Sequence, residues 1–204
     1  MMKKTNFIVA SSLVLMLQFF TVLGLGEVSR DIPHSAWCLR ERIKNNQYKD
    51  VEQFLALYLV KAPELLPDIF WDKYSGIGGN VLLFDVIDRR VDFADHANVL
   101  VLLAYTLKEA YLRKGFSEAD SNQKTNDWFW TRGHSNDLFL KYCADRIGRQ
   151  EVVVAQRIIN TIILILMDLG GWQAVECMLS DSLPRGFSLR QHIFYAIPGC
   201  ALPS

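Results

Sequence analysis

The chain has 204 residues, half of them hydrophobic, and its 22 basic and 22 acidic side chains leave a formal net charge of +0. This length and composition fit a single domain with a substantial core. Nucleic-acid binding depends mainly on clustered Lys and Arg that neutralise phosphates, and the chain has no basic run, so we expect no nucleic-acid partner.

The first 26 residues form a hydrophobic N-terminal segment. Lys3 and Lys4 precede an apolar run over residues 7–25, and Gly24 and Gly26 place small residues where a signal peptidase reads. The run is also about as long as a helix that crosses a bilayer core. Residues 1–26 are therefore predicted to be a signal peptide or an N-terminal membrane anchor, and residues 27–204 a single helical-bundle domain.

Four cysteines, at positions 38, 143, 177 and 200, follow this segment. In an exported chain they permit two disulfides, in any of three pairings. As reduced residues they would act as small buried hydrophobes. Both states stay open. None of the spacings is typical of a metal site, so no metal is expected.

The first half of the domain is predicted to contain two helices separated by a loop. Apolar residues at helical spacing predict a helix from Tyr48 to Val60, and Pro63 ends it. Residues 67–80, "PDIFWDKYSGIGGN", are predicted to be a loop. Helical spacing resumes over residues 81–93. The apolar faces of these two helices consist of Val51, Phe54, Leu55 and Leu59, and of Leu83, Val86 and Ile87.

Four aspartates, at positions 85, 88, 92 and 95, fall close to one edge of the second of these helices. Such a cluster could serve acid chemistry. Arg89 and Arg90 lie within the same stretch, however, and a solvent-exposed face of paired charges explains the pattern more simply.

The second half begins with the clearest amphipathic helix, predicted over residues 95–114 with Gly115 as its stop. The polar residues 117–127 are predicted to be a surface loop, and a helix is expected over 135–147. Residues 152–169 are apolar nearly all round, which predicts a central helix, with a buried strand as the alternative. Residues 188–197 add a short amphipathic piece. The predicted fold is all-α, a compact bundle of about seven helices around a central apolar helix.

No constellation in the sequence carries catalytic chemistry. The four histidines stand alone, and the chain contains no HExxH, P-loop or GxSxG motif. The glycines of "SGIGGN" lack the spacing of a dinucleotide-binding loop and are assigned to a turn. We therefore expect no enzymatic activity, no catalytic residue and no cofactor.

A pair of glycines, Gly170 and Gly171, ends the apolar 152–169 stretch directly before Trp172. Glycine adopts left-handed backbone angles without strain, so the pair is predicted to reverse the chain within two residues. The indole of Trp172 would then fold back and fix the corner.

A Gly-Gly-Trp corner between two helices near the C-terminal end resembles the second homology motif of the B-cell lymphoma two (Bcl) family of apoptosis regulators. The continuation through Cys177 to "LRQHIFYA" is most similar to the Bok-like branch. Segments similar to the other motifs occur in the order that the family requires. "VEQFLALYL" (residues 51–59) resembles the fourth motif. Matches to the third and first motifs fall on Leu83, Val86 and Asp88, and on Trp130 and Arg132.

The resemblance, which covers residues 48–197, implies a Bcl-like bundle with a surface hydrophobic groove that binds amphipathic helices of other apoptosis regulators. Arg132 would pair with an aspartate of the guest helix. The implied groove residues are Trp130, Arg132, Val99, Leu103, Leu107, Gly170, Gly171 and Trp172. For the three apolar residues of the 95–114 helix, a plain core position is the alternative, because apolar stripes usually face inward.

Family membership also implies association with the mitochondrial or endoplasmic reticulum membrane, for which residues 7–25 are the available segment. The alternative function is a secreted or membrane-anchored, cytokine-like helical ligand with disulfides. The hydrophobic N-terminal segment and the even number of cysteines are typical of that class.

Overall fold

The computed structural model describes residues 27–72, 82–87, 93–129 and 160–170. Every element in these ranges is helical. The predicted all-α fold class is therefore confirmed for the described part of the chain. The predicted segments at 1–26, 135–147 and 188–197 lie outside it, as do Cys143, Cys177 and Cys200.

Helix α1 (Ile32–Lys44) is not among the helices predicted from the sequence. It begins at Asp31, whose side chain accepts a 3.0 Å hydrogen bond from the backbone N–H of His34. In the turn that follows the helix, Asn46 has a left-handed backbone conformation (φ 57°), and the N–H of Gln47 donates a hydrogen bond to the carbonyl of Arg42. Its inner face mixes polar and apolar side chains: Ser35, Ala36, Leu39, Arg40 and Ile43.

Helix α2 (Tyr48–Lys61) confirms the helix predicted from Tyr48 to Val60. A 3-10 turn (Pro63–Leu65) and a short helix α3 (Leu66–Trp71) follow it. The start of the predicted loop over 67–80 is therefore wrong. Pro67 lies in the first turn of α3, where a missing N–H breaks no helical hydrogen bond, and Ile69 and Phe70 are buried.

Helix α4 (Leu82–Ile87) lies within the predicted 81–93 helix. Helix α5 (Phe93–Arg113) confirms the amphipathic helix predicted over 95–114. Gly115 terminates α5 as predicted, with a φ of 90°. The N–H groups of Gly115 and Phe116 donate back to the carbonyls of Leu112 and Tyr111, which satisfies the end of the helix.

Helix α6 (Glu118–Phe129) occupies most of the segment predicted to be a loop, so that prediction is wrong. Ser117 caps the helix, because its hydroxyl accepts a 3.1 Å hydrogen bond from the N–H of Asp120 and donates to the Asp120 carboxylate. The polar composition of this segment is typical of a surface loop, but the buried residues of α6 before Trp128 are themselves polar.

Helix α5 is the centre of the described part. It contacts α2, the 3-10 turn, α3, α4 and α6. Helices α2, α3 and α4 also contact α1, so they lie between α1 and α5. The core between these layers is apolar and fully buried, with Leu39, Leu55, Leu66, Phe70, Leu83 and Leu103 at 0–1% exposure.

Residues 160–170 are helical but are not buried on all sides. Ile162, Ile163, Ile165, Leu166 and Leu169 are buried, whereas Leu164 is 58% exposed and Asp168 is also exposed. The prediction of a central helix buried all round does not hold for this part of 152–169. A helix with one apolar face lies at the surface of a bundle. None of the helices in the four described ranges is long and apolar enough to cross a membrane.

Candidate functional site

The three candidate groove residues of α5 lie in the hydrophobic core. Val99, Leu103 and Leu107 are 3%, 0% and 0% exposed. Their spacing of four residues places them on one side of the helix, and Tyr111 continues the same row. We call Val99, Leu103, Leu107 and Tyr111 the α5 stripe. In this structure a partner could reach the stripe only if a covering element moved.

Helices α3 and α6 meet next to the C-terminal half of the α5 stripe. The indole N–H of Trp71 in α3 donates a 3.1 Å hydrogen bond to the Tyr111 hydroxyl. The ring of Phe70 lies 5.4 Å from that of Trp128 in α6. The Lys124 ammonium of α6 lies 5.9 Å from the centre of the Tyr111 ring and 4.8 Å from that of the Phe116 ring. Tyr111 is therefore the point at which α3, α5 and α6 are joined.

Burial at this junction raises the pKa of Tyr111, an effect that the hydrogen bond from Trp71 opposes and the charges of Asp68 and Asp127 reinforce. Neutral tyrosine is therefore the favoured form at the junction. The hydroxyl is thereby kept as an uncharged partner for the Trp71 indole.

The segment that resembles the third motif, α4, is fixed in the core by both packing and charge. Leu83 and Val86 are 0% and 1% exposed. Between them Asp85 accepts a 2.9 Å hydrogen bond from the Arg40 guanidinium of α1, which also donates to the backbone carbonyl of Asp72 at 2.6 Å. The expected exposed acidic face is wrong for Asp85, because its side chain is 15% exposed and pairs with a buried arginine from a distant helix.

A second polar contact joins α5 to the 160–170 segment. The Tyr105 hydroxyl donates a 2.6 Å hydrogen bond to the Asp168 carboxylate. Burial raises the pKa of Tyr105 well above its ordinary value, and the hydrogen bond and negative charge of Asp168 raise it further. The contact therefore depends on a protonated tyrosine.

The exposed side of α1 carries a cysteine and a histidine. Cys38 is a free, partly buried thiol whose Sγ lies 3.5 Å from Nε2 of His34, and the His34 ring stacks on exposed Trp37 at 6.1 Å. Two side chains are too few for a structural zinc site. Within the ranges that the structure describes, no three His, Cys, Asp or Glu side chains are grouped to hold a metal.

Of the remaining predicted site residues, Gly170 is helical and exposed. Trp130, Arg132, Asp88, Gly171 and Trp172 lie outside the described residues. Sequence reasoning missed Arg40, Trp71 and Tyr111 as joining residues. The one signal for Arg40 in the sequence is its helical spacing from the apolar residues Ala36 and Ile43, which places all three on the same face of α1.

Comparison of the chain with protein-family models, with curated proteins and with solved structures gives no match.

Proposed function

We propose that the protein is an apoptosis regulator that acts by binding amphipathic helices of partner proteins in a hydrophobic groove. The observation that carries the proposal is the α5 stripe, a row of apolar side chains at helical spacing in the middle of an all-helical domain. Once uncovered, such a row would offer an apolar surface to a guest helix, whose own anchors recur at i, i+3 or i+4 and i+7.

Two further features support this proposal. The segments similar to the four homology motifs follow one another in the family's order between residues 48 and 197. In addition, α4 is a short buried helix that a carboxylate–guanidinium pair, Asp85 with Arg40, ties to the rest of the core. That is the chemistry by which Arg132 would hold a guest helix.

Binding of labelled helices tests the proposal. Fluorescent third-motif peptides from pro-death members of the family are titrated onto the full-length chain, with scrambled peptides of equal composition as controls. Arg132→Ala should weaken binding by about tenfold or more, the loss expected for a charge-assisted contact. The matched control is Arg30→Ala, because Arg30 is an exposed arginine outside the motifs. Absence of binding, or equal effects of the two variants, would count against the groove.

We assign the protein to the mitochondrial or endoplasmic reticulum membrane, held there by residues 7–25. Alkaline extraction of membranes tests this assignment, since a retained anchor stays with the lipid and a cleaved, soluble chain is released. The alternative is a secreted ligand that is cleaved after Gly26 and contains disulfides. Its intact mass under non-reducing conditions should be that of residues 27–204 less two hydrogens for each disulfide, which distinguishes it from an anchored, full-length chain.

A further inference from the structure

Helix α6 presents a polar inner face to the bundle. Its buried side chains before Trp128 are Ser121, Thr125 and Asn126, and no apolar residue of the helix is buried ahead of Trp128. Helix α6 packs on α5, in which Leu107 and Ala110 are 0% exposed and the polar Thr106 is 1% exposed. Lys124 of α6 lies over the ring of Tyr111, the last residue of the α5 stripe. A polar helix face is thus packed on α5 near the C-terminal end of the stripe.

Several of these buried polar atoms have no hydrogen-bond partner. Within the described residues they include Oγ of Ser121, Oδ1 of Asn126, Nε1 of Trp128 and, on α5, Oγ1 of Thr106. All four residues are at most 6% exposed. Burial of a polar group without a partner costs its full desolvation free energy. Thr125 avoids this cost because its hydroxyl donates to the Ser121 carbonyl within α6 itself.

The remaining contacts of the first two turns of α6 are at the surface. Lys108 reaches Glu118 at 3.2 Å, but the Glu118 side chain is 75% exposed, and such ion pairs contribute little. Lys124 adds the contacts with the Tyr111 and Phe116 rings. Strong apolar anchoring begins only at Trp128 and Phe129, both 0% exposed, while at the other end Gly115 turns the chain with a φ of 90°.

We infer that residues 118–126 are a displaceable cover over the C-terminal half of the α5 stripe. When residues 118–126 move away from α5, with Gly115 and Trp128 as fixed ends, Leu107, Ala110 and Tyr111 become accessible to a partner. The occupant that fits this surface is an amphipathic helix with apolar side chains where α6 brings Ser121, Thr125 and Asn126. This inference rests on the proposed function and names how its groove opens.

Two variants shift the cover in opposite directions. Ser121→Ala combined with Asn126→Leu removes two unpartnered oxygens and adds an apolar contact, so it holds α6 closed. Ser117→Ala removes the exposed N-terminal cap of α6 and loosens the helix without touching its inner face. Gln123→Ala, at an exposed position of the same helix, is the matched control.

Hydrogen exchange and peptide binding are measured on the same full-length proteins. We expect amides of α6 to exchange about tenfold more slowly in Ser121→Ala/Asn126→Leu and several-fold faster in Ser117→Ala, with α5 amides unchanged. The affinity for the third-motif peptides should fall about tenfold in the first variant and rise in the second.

The outcomes separate this inference from the proposed function. If the peptide affinity does not change in step with the amide exchange rates of α6, residues 118–126 are not a cover, and the proposed groove function is unaffected. Exchange in α6 that is as slow as in α5 and the same in all variants also overturns the cover. Absence of peptide binding in every variant, Ser117→Ala included, overturns the proposed function and with it the role of α6 as a cover.

Discussion

The Arg40 guanidinium lies 2.9 Å from the Asp85 carboxylate and joins α1 to α4 through two residues that are 45 positions apart in sequence. Arg40 is 3% exposed, so its charge is compensated inside the protein rather than by water. The pair ties α1 to α4, and the second bond of Arg40, to the carbonyl of Asp72, ties both to the end of α3. Helices α1, α3 and α4, which are separated along the chain, are thus joined through one buried arginine side chain.

Removal of either charge should destabilise the fold more than removal of both. Arg40→Met or Asp85→Asn leaves one buried charge without its partner and should lower the free energy of unfolding by about 3–5 kcal/mol. The double variant Arg40→Met/Asp85→Leu replaces the pair with apolar groups and should recover most of that loss. Urea denaturation of the four proteins checks this expectation. Additive losses in the double variant would show that the pair is not coupled.

Sequence patterns predicted the long helices with apolar buried faces and missed two helices that bury polar side chains. They also missed the short apolar helix α3, because Pro67 indicated a loop. The helices over 48–60 and 95–114 have regular apolar stripes, and both are present as α2 and α5. Helix α1 buries Ser35 and Arg40, and α6 buries Ser121 and Thr125. The partners of the two buried residues of α1 are Tyr58 and Asp85, which are distant in sequence, so no local pattern could reveal them.

The same limit applies to the candidate site. Spacing alone placed Val99, Leu103 and Leu107 correctly on one apolar row of α5. It could not tell whether the row was open or covered, because the cover comes from other elements. The contact of Trp71 with Tyr111 spans 40 residues and is equally invisible to periodicity.

Substitution of two glycines by alanine should have opposite effects. Gly115 has a φ of 90°, and a Cβ there would meet no atom within 4 Å, so Gly115→Ala should cost about 1–2 kcal/mol through backbone strain alone. Gly170 is helical and exposed, so Gly170→Ala should raise the stability by about 0.5–1 kcal/mol. Chemical denaturation measures both. A loss of stability in Gly170→Ala would instead support the predicted left-handed corner at Gly170 and Gly171.

The stability of the protein should fall in alkaline solution because of Tyr105. Burial, and after it the hydrogen bond and charge of Asp168, raise the pKa of Tyr105 in the folded state above the value of about 10 in the unfolded chain. The folded state therefore holds a proton that the unfolded state loses. The stabilisation is complete below pH 10 or so and declines as the pH rises further towards the folded-state pKa.

Tyr105→Phe should remove this dependence. Urea denaturation at a series of pH values from about 8 to 11 should give a shallower decline above about pH 10 for the variant than for the parent chain. Asp168→Asn should lie between them, since it removes the negative charge and keeps the burial. Identical slopes in all three proteins would mean that the Tyr105–Asp168 contact does not hold the proton.

Tyr58 holds residues 27–31, which precede α1, against the domain. Its hydroxyl donates a 2.9 Å hydrogen bond to the Ser29 carbonyl and lies 2.6 Å from Oγ of Ser35, which is 1% exposed. The Ser35 hydroxyl also donates to the Ser29 carbonyl, at the longer distance of 3.4 Å. Tyr58→Phe removes both bonds of the tyrosine hydroxyl and leaves a buried hydroxyl poorly paired, so it should cost about 1–3 kcal/mol. It should also free residues 27–31.

Tryptic cleavage after exposed Arg30 reports on this attachment, because a protease needs the local chain to open. Cleavage should be faster in Tyr58→Phe than in the parent chain. Tyr48→Phe is the matched control, since the Tyr48 hydroxyl donates a 3.1 Å hydrogen bond to the nearby side chain of Asn46 in an exposed position. Equal cleavage rates in the two variants would show that Ser29 is held by the apolar contacts of Val28 and Ile32 with the core and that the hydroxyl of Tyr58 adds nothing.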